Sequence, residues 1–129
     1  ERLMLADNAF QGHLLPTHVG ALTKLMDLAL GSNQFTGRLP SELDHLTLLK
    51  ELDLSDNHWD GPIPSELASL TRLSTLRMHR NDELYGIIPE ELCHNSWGTD
   101  WWNGLWVDCE RVACSCGACN CGSNLPPQH

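Results

Sequence analysis

Between residues 1 and 92 the apolar positions of the chain recur as one phrase. In its second copy the phrase runs Leu25, Leu28, Leu30, Asn33, Phe35, Gly37, Pro40, and in its third Leu49, Leu52, Leu54, Asn57, Trp59, Gly61, Pro64. The asparagines Asn8, Asn33, Asn57 and Asn81 stand 25, 24 and 24 residues apart, and the shared spacing is L-x-x-L-x-L-x-x-N-x-F-x-G-x-x-P. A period of this length marks a stacked-repeat architecture. The first copy keeps Leu3, Leu5, Asn8, Phe10, Gly12 and Pro16, with one extra residue before its proline. The fourth keeps Leu73, Leu76, Met78, Asn81, Gly86 and Pro89, but has Glu83 at the aromatic position and an inserted residue that brings Leu84 or Tyr85 inward.

Each residue type suits its place. The L-x-L pair alternates with period two, which predicts short strands near residues 3–5, 27–30, 51–54 and 75–78, leucines inward and the intervening residues on the outer face of a parallel sheet. Asparagine carries a donor and an acceptor on a short side chain, so a ladder of Asn8, Asn33, Asn57 and Asn81 can satisfy backbone groups where each coil turns. The proline fixes φ at a helix entry, with Ser41 and Ser65 placed to cap segments that bury Leu43, Leu46, Leu67 and Leu70. One coil buries too little apolar surface to offset the entropy of ordering its backbone, so stacking is obligatory and both ends need covers.

These motifs resemble the plant-type extracellular leucine-rich repeat of receptor-kinase ectodomains and of secreted inhibitors of pectin-degrading enzymes. The resemblance covers residues 1–92. It implies an α/β repeat fold, a right-handed leucine-rich-repeat solenoid with a concave parallel β-sheet and 3₁₀ or short helices on the convex side, and a protein-binding role without catalysis or cofactor. The segment Trp106–Cys116 with Cys119 and Cys121 is similar to the cysteine-rich caps of secreted algal leucine-rich-repeat proteins. Together they imply four repeats over 1–92, a cysteine- and tryptophan-rich cap over 93–122 and a flexible tail over 123–129, in a secreted or cell-surface protein.

Composition narrows the partners. Seventeen Asp and Glu against eight Lys and Arg give a formal charge of −9, which argues against a phosphate-tracking surface and against nucleic acid as a partner. No apolar run reaches the roughly 20 residues that cross a bilayer, so no membrane span is expected. The motifs H-E-x-x-H, G-x-S-x-G and the phosphate loop are all missing, as is any N-x-[ST] glycosylation acceptor. The first copy begins inside its own consensus, which leads to the expectation of a longer array whose C-terminal part this is, or of assembly through the uncapped N-terminal end.

All six cysteines, Cys93, Cys109, Cys114, Cys116, Cys119 and Cys121, lie in the last third of the chain. Such crowding is read as a disulfide staple in an oxidising compartment, zinc being the competing reading, and sequence leaves fifteen pairings open. A link from Cys93 to a tail cysteine is expected first. Four of the five tryptophans fall in the ten positions from Trp97 to Trp106; they either seal the last coil or offer Trp101 and Trp102 as an exposed platform for a sugar or a protein.

The strand pattern also assigns an outward row. It contains Asp27, Ala29, Gly31 and Ser32 on coil two, Glu51, Asp53, Ser55 and Asp56 on coil three, and Thr75, Arg77, His79 and Arg80 on coil four. Asp53 then faces Arg77, and Asp56 faces Arg80, across strands about 4.8 Å apart. These charges either pair laterally and solvate the sheet or form a recognition stripe; calcium is disfavoured because a flat strand does not gather six to eight oxygens, and no metal is expected. The candidate binding residues are Asp27, Glu51, Asp53, Asp56, Arg77, His79, Arg80, Trp101 and Trp102, for a protein, peptide or polysaccharide. The alternative is a structural or scaffolding subunit of an extracellular matrix, filament or large assembly.

Overall fold

The protein is described by a computed structural model for residues 1–95, 97, 104–114 and 119–121. Two parallel sheets run the length of the stack. The concave sheet contains β1 (Arg2–Met4), β3 (Asp27–Ala29), β5 (Glu51–Asp53), β7 (Thr75–Arg77), β9 (Gly104–Val107) and β11 (Cys119–Cys121), adjacent in that order. The lateral sheet contains β2 (Gln11–Gly12), β4 (Gln34–Arg38), β6 (His58–Pro62), β8 (Glu83–Ile87) and β10 (Val112–Ala113). The convex side carries helix α1 (Pro16–Gly20) and 3₁₀ turns at Ser41–His45, Ser65–Ser69 and Glu90–His94.

Period two sets the core. Leu3, Leu28, Leu52, Leu76 and Leu105 fall in register at the centre of successive concave strands. Leu30, Leu54 and Met78 continue the row, and Leu43, Leu46, Leu67 and Leu70 close it from the convex side, all buried. The strands end one residue earlier than the sequence predicts, and the first is shifted to Arg2–Met4. Leu5, Leu30 and Leu54 nevertheless donate their N–H groups to the next coil, to the carbonyls of Ala29, Asp53 and Arg77 at 2.8 Å each. Neither Ser41 nor Ser65 caps a helix: extended Pro40 and Pro64 hold the entry position, and no side chain caps either turn.

The turn after each strand places a non-glycine residue in the left-handed region, Asp7, Ser32, Asp56 and Arg80 at φ 51–57°. This geometry aims two successive N–H groups at the next coil: Ser32 donates to Ser55 O at 3.0 Å and Asn33 to Asp56 O at 3.2 Å. The asparagine side chain does the rest. Asn57 Nδ2 donates to Leu30 O at 2.8 Å and to Ser55 O at 3.0 Å, while its Oδ1 accepts from Phe35 N at 3.0 Å. Asn33 and Asn81 repeat the arrangement, accepting from Phe10 and Trp59. Gly61 follows at φ 74°, and a Cβ there would come within 3.0 Å of the Arg38 Cγ that lies across it.

The C-terminal segment continues both sheets, with β9 paired to β7 and β10 to β8. Asp108 Oδ2 accepts the Asn81 N–H at 3.2 Å, filling the place of the carbonyl that a further coil would supply. Disulfides join Cys109 to Cys121 and Cys114 to Cys119. Cys93 is also disulfide-bonded, and among the described residues no cysteine is free. Trp97 Nε1 donates to Leu92 O at 2.9 Å, and Trp97 packs on the core from its edge. Among the described residues no helix is long and apolar enough to cross a membrane.

Candidate functional site

The concave face presents the outward residues of β1, β3, β5 and β7 and of the turns that follow them. Parallel register brings Asp53 beside Arg77, and their charged atoms approach to 3.7 Å; Asp56 and Arg80 approach to 3.4 Å. Both lateral pairs expected from spacing are therefore present. A third, between Arg2 and Asp27, was not anticipated. Its signal was legible, because Arg2 and Asp27 hold the same strand position one repeat apart.

Asp53 is held from beneath as well. Its Oδ1 accepts from the Ser55 hydroxyl at 2.6 Å and from the Ser55 N–H at 3.0 Å. A carboxylate fixed by two donors and facing a guanidinium presents a defined charge rather than a mobile one. Glu51, in register with Asp27 on one side and Thr75 on the other, is exposed. Beside these charges lie small residues, Ala29, Gly31 and Ser32, so the floor between coils one and three has low relief. A Cβ on Gly31 would meet the Asp53 carboxylate at 3.0 Å, which shows how closely that carboxylate lies over coil two.

Coil four departs from the expectation that its whole row faces solvent. Thr75 and His79 are buried, each 3% exposed. The neighbouring strand β9 lies beside both: Gly104 is in register with Thr75, and Trp106, in register with Arg77, meets the His79 ring edge-on at 6.5 Å between centroids. Burial lowers the His79 pKa from its ordinary 6.5, outweighing the opposite pull of Asp56 and Asp53. His79 is thus a packed side chain, a correction to the outward, solvent-facing position expected of it. Arg77 keeps 23% of its side chain exposed and Arg80 34%, so Arg80 is the more accessible cation.

Trp101 and Trp102 lie outside the described residues, as does Cys116. Among the described residues no group of three or more His, Cys, Asp or Glu side chains is disposed to hold a metal ion. The other prominent surface feature is the N-terminal face, where a recess of about 350 Å³ is lined mainly by Leu3, Leu5, Phe10, Leu14, Leu15 and Leu22.

A protein-family model for the leucine-rich repeat matches residues 48–70. No curated protein sequence matches the chain. Among solved structures, the ectodomain of the receptor kinase SOBIR1 from Arabidopsis thaliana is 28% identical, with a TM-score of 0.69 over 76% of this chain and 52% of that one. The Arabidopsis receptor kinase HAESA, solved with the peptide hormone IDA and the co-receptor SERK1, is 25% identical, with a TM-score of 0.70 over 95% of this chain and 22% of that one. A plant ice-binding protein is 30% identical, with a TM-score of 0.66 over 88% of this chain and 34% of that one. This chain spans about half or less of the length of those three structures. It has the leucine-rich-repeat solenoid fold of plant receptor ectodomains.

Proposed function

We propose that the chain is a non-catalytic recognition module of a secreted or cell-surface protein, and that its concave face takes an extended peptide or a protein segment. The observation that carries the reading is the charge distribution along the strands. Asp27, Glu51 and Asp53 form an acidic stretch beside the low floor of Ala29 and Gly31, and the cations Arg77 and Arg80 follow on coil four. From coil two onward an extended ligand crossing the strands meets acidic charge and then basic charge, which favours one direction as well as one position. Support comes from HAESA, which shares the fold and was solved with a peptide hormone. The ice-binding protein shares it too, so the reading rests on the residues of this face and not on the fold alone. Disulfides in the C-terminal segment agree with an oxidising, extracellular setting.

The test is selection of binders from a displayed peptide library, followed by titration against variants. Arg80→Glu is expected to weaken the selected peptides about tenfold, equivalent to ~1.4 kcal/mol, with the melting temperature within a degree or two of the parent. Added salt is expected to slow their association. Arg77→Glu serves less well, because Arg77 is largely covered and its reversal also strains the packing against Trp106. Binding unaffected by Arg80→Glu, Asp53→Asn and Asp27→Asn removes the concave face from the proposal and moves the assignment to Trp101 and Trp102.

A further inference from the structure

The lateral sheet carries a second surface that the concave reading does not use. Along β8 and the residue that follows it the side chains alternate: Leu84 and Ile88 are buried, while Tyr85 and Ile87 are 52% and 66% exposed. The local cause is in the sequence. The residue inserted before Gly86 hands the aromatic core position to Leu84, which leaves Tyr85 outside, and of the consecutive Ile87 and Ile88 a strand can bury one only. Register puts Pro62 beside Tyr85 and Ala113 beside Ile87, both exposed. The result is an apolar corner of four residues on three paired strands, held rigid by the sheet.

Its border is charged. Asp60 and Glu83 stand in register on β6 and β8, both on the outer face, and neither makes an ion pair with a described residue. Like charges directly opposite one another destabilise a sheet pair. Arg38 is the register neighbour of Asp60 on the other side but is folded across Gly61, and no ion pair forms between them. By repeat position Tyr85 and Ile87 correspond to the polar Thr36 and Arg38 of coil two and to Asp60 and Pro62 of coil three, so the exposed aromatic and aliphatic pair belongs to coil four, beside the cysteine-bonded segment. Aromatic and aliphatic anchors ringed by polar groups are the anatomy of a protein interface centre.

We infer that Pro62, Tyr85, Ile87 and Ala113, with Asp60 and Glu83 at their border, form a docking surface for a basic, extended protein segment that sets an apolar side chain on Tyr85 and Ile87 and a lysine or arginine between the two carboxylates. The occupant's charge follows from the unrelieved carboxylate pair and from the chain's net charge of −9, which disfavours a second copy of the same chain on this face. The site is separate from the concave stripe, so each can fail without the other.

The probe is a synthetic twelve-residue peptide alternating lysine with leucine and valine, compared with the same peptide in which every lysine is glutamate. Amide shifts of the isotopically labelled chain are followed on titration with each. Expected are shifts concentrated on β6, β8 and β10 with the lysine peptide only, at least a tenfold loss of affinity in Ile87→Asp, and a several-fold loss in Glu83→Lys. Tyr85→Ser, a milder change at an exposed position, gives the same direction if Ile87→Asp fails to fold. Arg80→Glu leaves this titration unchanged. The inference is overturned by no binding at millimolar peptide, by equal binding of the glutamate peptide, or by shifts that map to the concave strands. Concentration-dependent dimerisation abolished by Ile87→Asp also overturns it, because the occupant is then a second copy.

Discussion

Coil one and coil four are built from nearly the same phrase, yet they differ in what their residues achieve. Asn8 is exposed, and its side chain donates only within its own coil, to Leu5 O and Ala6 O, although its backbone N–H reaches Ser32 O in coil two. Asn81 is fully buried; its Nδ2 reaches Leu54 O in the previous coil at 3.0 Å, and Asp108 takes up its N–H. Phe10 is 45% exposed, whereas Trp59, the equivalent residue in coil three, is fully buried and stacked on Phe35 with centroids 5.4 Å apart. The repeat sequence therefore specifies the conformation of a coil, and its neighbours supply the burial that makes each residue count.

That comparison is broken most directly at the aromatic position. Trp59→Ala is expected to cost about 3–5 kcal/mol, because a fully enclosed ring leaves a cavity, while Phe10→Ala costs about 1 kcal/mol or less. Urea unfolding of the two variants measures both; equal losses would show that coil one is as enclosed as coil three. The next effect is at the ladder. Asn81→Ala removes three side-chain donations to Leu54, Met78 and His79 and the acceptor of the Trp59 N–H. It leaves the Trp59 N–H without its acceptor and takes a donor from the Leu54, Met78 and His79 carbonyls, of which His79 O keeps the Asp56 N–H, and is expected to cost roughly 2–4 kcal/mol. Asn8→Ala, at an exposed position, costs about 0.5 kcal/mol or less.

Most of this solenoid can be read from spacing, because period two and the recurring asparagine each have one physical solution. The lateral pairs Asp53–Arg77 and Asp56–Arg80 follow from the same arithmetic. What spacing does not reveal is anything set by a neighbour outside the repeat. Thr75 and His79 sit at outward positions but are covered by β9, and nothing in the irregular stretch after Cys93 announces that Leu105 falls into register with Leu76. The serine caps fail for a different reason: proline's extended conformation already fixes the entry, leaving each serine one residue inside the turn. The apolar corner at Tyr85 and Ile87 is half-legible in the spacing, which marks the insertion but does not decide between Leu84 and Tyr85 for the inward position.

The smallest effect sharpens the contrast between the two ends through pH. Position 79 corresponds to Ala6 in coil one and Ser55 in coil three, so only the C-terminal end buries a titratable ring there. Its surroundings are Asp56 and Asp53 on coil three, Arg80 on its own turn, and Asp108 and Trp106 on the segment packed against it. Desolvation outweighs the carboxylates and lowers the folded-state pKa below 6.5, so the unfolded chain binds this proton more readily than the folded one. Stability from this residue is complete above about pH 6.5 and declines as pH falls from there towards the folded-state value, below which the loss is constant. The penalty falls on the contact between β7 and β9. Hydrogen-exchange protection in β7 and β9, after correction for the intrinsic pH dependence of amide exchange, should therefore be lower at pH 5 than at pH 7.5, with β1 and β3 changing less. His79→Gln should remove the difference while Arg80, Asp53 and Asp56 remain in place. A loss of protection at pH 5 that persists in His79→Gln would show that His79 is not its source.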